Sequence, residues 1–176
     1  MPSSPRSLPD PHAVATPLAL RHRRRSLLLV ALPAALLALH GCATVRNLMP
    51  AKIALSDLSF DVARQANGGM PFAVELVAAN DEELVTRLQT LRADQWFDPA
   101  SNLKADYPKT LKSWYYELTP GLQLREQPTP FAGARGRGLF LFARYEGKGA
   151  YRLRLDSYAR ATVRFVEKEI VVEGTP

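Results

Sequence analysis

The one thiol in the sequence belongs to Cys42, at the end of the leucine-rich stretch LLALHGC. The three histidines, His12, His22 and His40, all precede it. A lone thiol cannot form the structural disulfides of exported proteins, and no histidine follows it to complete a zinc site of the His/Cys type. The remaining possibility is a covalent modification of the cysteine itself, and the residues around Cys42 indicate which modification.

A basic cluster and a short apolar run lead up to Cys42. Residues 21–25 read RHRRR, and the fourteen residues 26–39 carry no charge. As a helix this run would span roughly 21 Å, at 1.5 Å per residue, whereas a bilayer core is about 30 Å thick. Basic residues, a short apolar run and small residues at its end are typical of a secretory signal peptide.

The end of the run, Leu39-His40-Gly41-Cys42, resembles the bacterial lipobox, although His40 departs from the small residue usual at its position. The resemblance implies that Cys42 is lipidated and becomes the first residue of the mature protein. Two or more acyl chains make such anchoring stable, at about 0.8 kcal/mol per buried methylene. Ala43 stands where an aspartate would resemble the inner-membrane retention signal, which favours the periplasmic face of the outer membrane. The alternative is a plain secreted or core cysteine.

These features divide the chain into a signal peptide with an N-terminal extension (residues 1–41), a lipidated tether (42–50) and a periplasmic domain (51–176). Residues 1–41 hold five of the 23 basic and one of the 17 acidic residues, which leaves a net charge of +2 after cleavage. The basic character of the whole chain therefore does not indicate nucleic-acid binding. Without histidine or an unmodified thiol, the mature chain lacks the commonest general base and nucleophile. We expect no catalytic site, no metal and no cofactor beyond the covalent lipid.

The pattern after residue 50 is mainly that of β-strands. Residues 53–62 change phase near Asp57, which predicts a bulge or bend. Residues 72–78 alternate, with Glu75 on the polar side. Residues 111–118 place Trp114, Tyr116 and Leu118 on one face, which we expect to be core. Residues 139–145 are almost continuously apolar, which predicts cover on both faces. Further strands are expected at residues 151–155, 163–165 and 170–172.

One helix interrupts the strands. Asn80 is the expected N-cap, with Glu83 at the capping-box position. Leu84, Leu88 and Leu91 share one face, and the helix is expected to end near Asp94. About seven or eight short strands with one inserted helix predict a mainly β fold, a β-sandwich.

Five features in this order resemble the outer-membrane lipoprotein of the type VI secretion system, the TssJ/SciN family. They are Cys42, the strand PFAVEL at residues 71–76, the leucine helix 84–91, Pro120-Gly121, and the strand end at residues 143–146. The likeness covers about residues 53–165. It implies a transthyretin-like sandwich that holds the secretion machine's membrane complex to the outer membrane and touches an inner-membrane-anchored periplasmic partner through its first loop. The alternative is another periplasmic lipoprotein, an envelope assembly accessory or a ligand-binding sandwich.

Two segments are candidates for partner binding. The first loop contains Asn67, Gly68, Gly69 and Met70: the glycines give backbone freedom, Asn67 tolerates a left-handed turn and Met70 offers an adaptable apolar contact. Its alternative is a plain hairpin turn. The second contains Arg135 and Arg137 in the run RGRG, which we interpret as a flexible turn whose arginines could meet an acidic partner.

Overall fold

The computed structural model describes residues 49–147 and 149–176. The predicted signal peptide, Cys42 and residues 43–48 of the predicted tether lie outside the described residues. Pro50–Pro176 forms one folded unit. None of the helices within the described ranges is long and apolar enough to cross a membrane.

Ten strands and three helices make up the described part of the chain. The strands are β1 (Ala51–Lys52), β2 (Asp57–Val62), β3 (Phe72–Ala79), β4 (Leu111–Leu118), β5 (Gln123–Glu126), β6 (Arg135–Gly136), β7 (Gly138–Ala143), β8 (Arg152–Arg154), β9 (Arg160–Phe165) and β10 (Ile170–Thr175). The helices are α1 (Glu82–Thr90), α2 (Ala93–Trp96) and α3 (Leu103–Asp106), and a 3-10 turn spans Ala66–Gly69.

The strands form a β-sandwich, as the sequence predicts. One four-stranded sheet has the order β4-β3-β7-β8 and the other β10-β9-β2-β5, while β1 and β6 form a separate pair. All pairs are antiparallel except β2 and β9, which run parallel. The strand number exceeds the seven or eight expected because β1 and β6, with two residues each, are too short for a sequence pattern to show.

The main core lies between the two sheets. Every second residue of β2 and β9 points inward, and the ring of Phe60 meets those of Phe165 and Tyr116 edge-on, at centroid distances of 5.8 and 5.1 Å. Leu76 and Leu141 face them from the opposite sheet and are fully buried. Each such side chain contributes roughly 1.5–3 kcal/mol through burial.

A second core lies on the other face of the β4-β3-β7-β8 sheet. Leu84, Leu88 and Trp96 of the helices pack there against Phe140 and Phe142. The helices therefore cover the outer face of the β4-β3-β7-β8 sheet. As a result, all residues of β3 and β7 are buried. The prediction of cover on both faces is confirmed for β7. The sequence pattern does not predict it for β3, because it places Glu75 on a polar face, whereas Glu75 is buried.

The helical region differs from the prediction of a single helix. Asp81, not Asn80, caps α1, because its carboxylate accepts a hydrogen bond from the Leu84 backbone N–H at 2.9 Å. The helix ends at Thr90 rather than near Asp94, because Leu91 is extended and its carbonyl accepts a hydrogen bond from Arg152 at 2.6 Å.

Two strand predictions also need correction. Residues 53–62 form no continuous strand, since β1 and β2 are separated by residues 53–56, close to the predicted phase change. Strand β4 has the predicted bounds, but Trp114 is 52% exposed. The cause is its position: β4 is an edge strand, and the facing edge strand β5 has only four residues.

The RGRG run is no flexible turn. Its first half is strand β6, paired with β1, and Gly138 begins β7. A Cβ at Gly136 would lie 3.0 Å from Ile53, and one at Gly138 would lie 2.9 Å from Phe140. The two glycines therefore serve close packing rather than mobility.

We expect Leu88→Ala to lower the free energy of unfolding by about 2–5 kcal/mol, because Leu88 of α1 is fully buried between the helix and the sheet. Trp114→Ala, a larger deletion on an exposed side chain, should cost under about 1 kcal/mol. Urea unfolding of the domain lacking residues 1–42 measures both. Equal losses for the two variants would contradict the burial described here.

Candidate functional site

The 3-10 turn Ala66–Gly69 has a backbone that few sequences accept. Asn67, Gly68 and Gly69 all have positive φ, at 50°, 65° and 80°. Glycine adopts such angles without steric cost, and asparagine is among the few other residues that tolerate them. The sequence Asn-Gly-Gly is therefore what this turn requires, and the turn is a defined structure rather than a free hairpin loop.

Asn67 fastens the turn to the body of the domain. Its side-chain oxygen accepts a hydrogen bond from the backbone N–H of Glu146 at 2.7 Å, and its amide donates to the Met70 carbonyl at 3.4 Å. Asn67 is only 5% exposed, whereas Met70 is 57% exposed. Four residues of this turn are predicted to bind a partner. Asn67 is buried and has a structural role, whereas Gly68, Gly69 and Met70 are on the surface.

A groove of about 460 Å³ lies beside the turn. The turn, the start of β3, the strand β4 and the chain after β7 enclose it, and its exposed lining comprises Met70, Pro71, Tyr115, Glu117, Arg144 and Glu146. An apolar thioether, an aromatic ring and charges of both signs face the same space. Such a lining suits a polypeptide surface better than a small apolar ligand.

Tyr115 is the exposed tyrosine of this groove, whereas Tyr145 is buried. Its hydroxyl donates a hydrogen bond to the Glu117 carboxylate, which raises the pKa of Tyr115 above its ordinary value. Partial burial acts in the same direction, and the charge of Arg144 opposes both. The phenol therefore stays protonated at neutral pH and acts as a hydrogen-bonding surface group.

The second predicted segment lies elsewhere. Arg135 donates a hydrogen bond to the Pro50 carbonyl at 3.2 Å, and the Arg137 guanidinium pairs with Glu82 at 3.3 Å. The Arg137 backbone N–H bonds to Ala79, at the far end of β3 from the turn. Strand β3 alone spans about 24 Å at 3.4 Å per residue. The structure thus does not bring the two predicted segments together.

Sequence reasoning missed a buried acid in the middle of the sheet. Glu75 on β3 is 3% exposed and lies between the sheet and the helices. Its carboxylate accepts hydrogen bonds from Trp96 Nε1 at 2.9 Å and from Lys104 Nζ at 2.5 Å. The available signal was a single acid inside the apolar run FAVELVAA. A strand covered on both faces leaves such an acid without solvent, so the acid needs partners within the protein.

Two buried or nearly buried carboxylates, those of Glu75 and Asp57, are both held in ion pairs. Glu75 is held by a cation and an indole, and Arg125 lowers the pKa of Asp57 by a two-point ion pair, so both carboxylates are committed. Within residues 49–147 and 149–176, no three acidic, cysteine or histidine side chains lie together as a metal site would need.

No family model matches the sequence. A search of curated proteins also finds no match. Solved structures do match. The type VI lipoprotein TssJ1 of Pseudomonas aeruginosa is 17% identical, with a TM-score of 0.53 over 68% of this chain and 95% of that chain.

The domain has a TssJ-like fold. A chain of a type VI membrane complex agrees, at 10% identity and a TM-score of 0.52 over 68% of this chain and 98% of that one. Lip of Serratia marcescens, a membrane-bound component of the type VI secretion system, is 18% identical, with a TM-score of 0.46 over 69% and 99%. The matches to TssJ1 and to the membrane-complex chain confirm the TssJ-like fold expected from the sequence resemblance.

We expect Asn67→Ala to destabilise this TssJ-like domain by about 1–3 kcal/mol, because alanine strains the left-handed backbone and leaves the Glu146 N–H without its acceptor. Asn67→Asp keeps an acceptor oxygen and tolerates the same φ, so it should lose less than half as much. Thermal unfolding of both variants tests this. If the aspartate variant were the less stable one, the side-chain hydrogen bond would not be what holds the turn.

Proposed function

We propose that this chain is a lipid-anchored periplasmic protein that tethers the membrane complex of a type VI secretion system to the outer membrane. The observation that carries the proposal is the TssJ-like fold of Pro50–Pro176. The lipobox-like residues 39–42 supply an independent argument from the sequence. Together they support a chain that combines a protein-binding domain with a covalent anchor, a role that requires no catalysis.

The anchor is proposed to be acyl chains on Cys42. A short tether after Cys42, residues 43–50, then leads to the domain. Two or more chains hold such a protein stably at a membrane. Ala43 in the sorting position supports the outer membrane over the inner one.

The proposed partner is a periplasmic domain anchored in the inner membrane. Of the first loop, we assign the contact to Gly68, Gly69 and Met70. The two glycines leave open space above the backbone, with no neighbouring atom closer than 4.0 Å to their Cβ positions, and Met70 projects from the surface. Asn67 contributes by holding the turn in shape. Arg135 and Arg137, which bond within their own domain, are the second candidates.

The anchor is tested by metabolic labelling with an alkyne-palmitate. The wild type should be labelled and should fractionate with outer membranes, and Cys42→Ser should lose the label because no thiol remains for the acyl chain. Ala43→Asp is the matched control, which should keep the label and move to the inner-membrane fraction. An unlabelled wild type would overturn the lipid anchor and the localisation built on it.

The partner contact is tested by pull-down of the inner-membrane secretion protein from the native host. Met70→Asp should reduce recovery of this partner at least tenfold, because it places a charge on the only large apolar side chain that the turn exposes among the described residues. Val171→Asp, at an apolar position 41% exposed on β10, is the control and should bind normally.

Both variants should melt within about 2 °C of the wild type, since neither side chain is buried. If Met70→Asp recovers the partner as well as the control does, the turn is not the interface. Arg135→Ala and Arg137→Ala are then measured in the same assay. Failure of all variants to affect a partner that does bind would exclude both predicted segments.

A further inference from the structure

Strand β4 is the longest of the four strands at the borders of the two sheets, and β10, with six residues, comes next. The sheets end in β4, β8, β5 and β10. Strands β8 and β5 have only three and four residues, and short edges are one of the ways in which proteins avoid unwanted strand pairing. Strand β4 has eight residues, and in the described part of the chain it pairs only with β3. One side of its backbone therefore offers unmatched N–H and C=O groups over a long, regular stretch.

Two large aromatic side chains are exposed on this edge strand. Trp114 is 52% exposed and its neighbour Tyr115 is 57% exposed. Because successive side chains of a strand point to opposite faces, one ring stands on each face of the sheet. Tryptophan and tyrosine are enriched at protein interfaces, and a strand added beside β4 would have a ring above and a ring below it.

The charges along this edge are divided between its two ends. At the start of β4, Lys109 and Lys112 are exposed, and none of the ion pairs in the described ranges includes them. The other end is acidic: Glu117 lies on the strand, and Glu126 of β5 is close enough to Tyr116 to add to the rise in the pKa of Tyr116 that burial causes. An incoming segment with an acidic side chain beside Lys112 would complement the start of β4, and a basic side chain there would be repelled.

The interior beneath the edge contains an unmatched donor. Tyr116 is only 8% exposed, and its hydroxyl has no hydrogen-bond partner within the described residues. Trp114 and Lys112 lie two and four residues away on the same face of β4. Because this hydroxyl is enclosed in the core between the sheets, Trp114 and Lys112 are the residues of this face that an added strand would contact.

We propose that the edge of β4 is a docking site for an extended acidic segment of a partner protein, which joins the sheet as an additional strand. Backbone hydrogen bonds would supply affinity, and alternate side chains would supply specificity. A segment antiparallel to β4 passes Trp114 before Lys112. The favoured pattern is therefore an apolar residue beside Trp114, one residue of any type, and an acidic residue beside Lys112.

The probe is the peptide acetyl-Thr-Val-Thr-Leu-Thr-Glu-Thr-amide, and the control peptide carries lysine in place of glutamate. Each is titrated against the mature protein purified in detergent, with amide hydrogen exchange followed by mass spectrometry. The acidic peptide should slow exchange in Leu111–Leu118 saturably, with an apparent Kd at least tenfold lower than that of the lysine peptide. Lys112→Glu should reverse this preference.

Two further variants separate docking from folding. Trp114→Ala should weaken binding of the acidic peptide about fivefold or more, whereas Val171→Ala on the edge strand β10 should leave it unchanged. The proposal is overturned if β4 gains no protection, if β10 is protected equally, or if both peptides bind alike. The peptide experiment measures binding at the edge of β4 and does not involve the secretion partner. Its outcome is therefore independent of the outcome of the Met70→Asp pull-down.

Discussion

Cover on both faces of strands β3 and β7 is the constraint on which the rest of this domain depends. One face closes the core between the sheets and the other is closed by α1, α2 and α3, so neither face of these central strands can serve as a binding surface. The proposed contacts therefore lie at the margins of this sheet, namely the turn before β3, the chain after β7 and the outer edge of β4. The same cover explains why a chain with so few regular helices has two separate clusters of buried side chains.

Glu75 shows the cost of this arrangement and its benefit. A carboxylate inside a doubly covered sheet loses its water, and only well-placed partners offset that loss. Lys104 of α3 and Trp96 of α2 are those partners, and Trp96 also stacks on Phe142 of β7 at a centroid distance of 5.0 Å. One acid therefore ties two short helical turns to the sheet. Four-residue helices have little stability of their own, so these contacts position the segment that leads into β4.

The sequence predicts the architecture of this domain well, but it predicts poorly the burial of those residues whose environment comes from other elements. Strand β4, the double cover of β7 and the sandwich follow from local periodicity, which depends on the residues of one element alone. The exposure of Trp114, the packing role of Gly136 and the burial of Glu75 depend on what lies opposite in space. Periodicity says which residues share a face, but not where the facing sheet ends. The turn at Asn67 was located correctly from its composition, whereas its hydrogen bond to Glu146, 79 positions along the chain, has no local signal.

In the proposed role of a tether, the domain has to bind its partner without deforming, and two features of the fold suit that requirement. The left-handed turn is held by Asn67 at one point and by the start of β3 at the other, so Met70 is presented from a rigid base. Such presentation lowers the conformational entropy lost on binding, which makes a small contact more effective. The long edge of β4 works in another way, because its backbone groups are already aligned for a further strand. A partner that used both sites would gain from their connection through β3, which begins at the turn and pairs with β4 along its whole length.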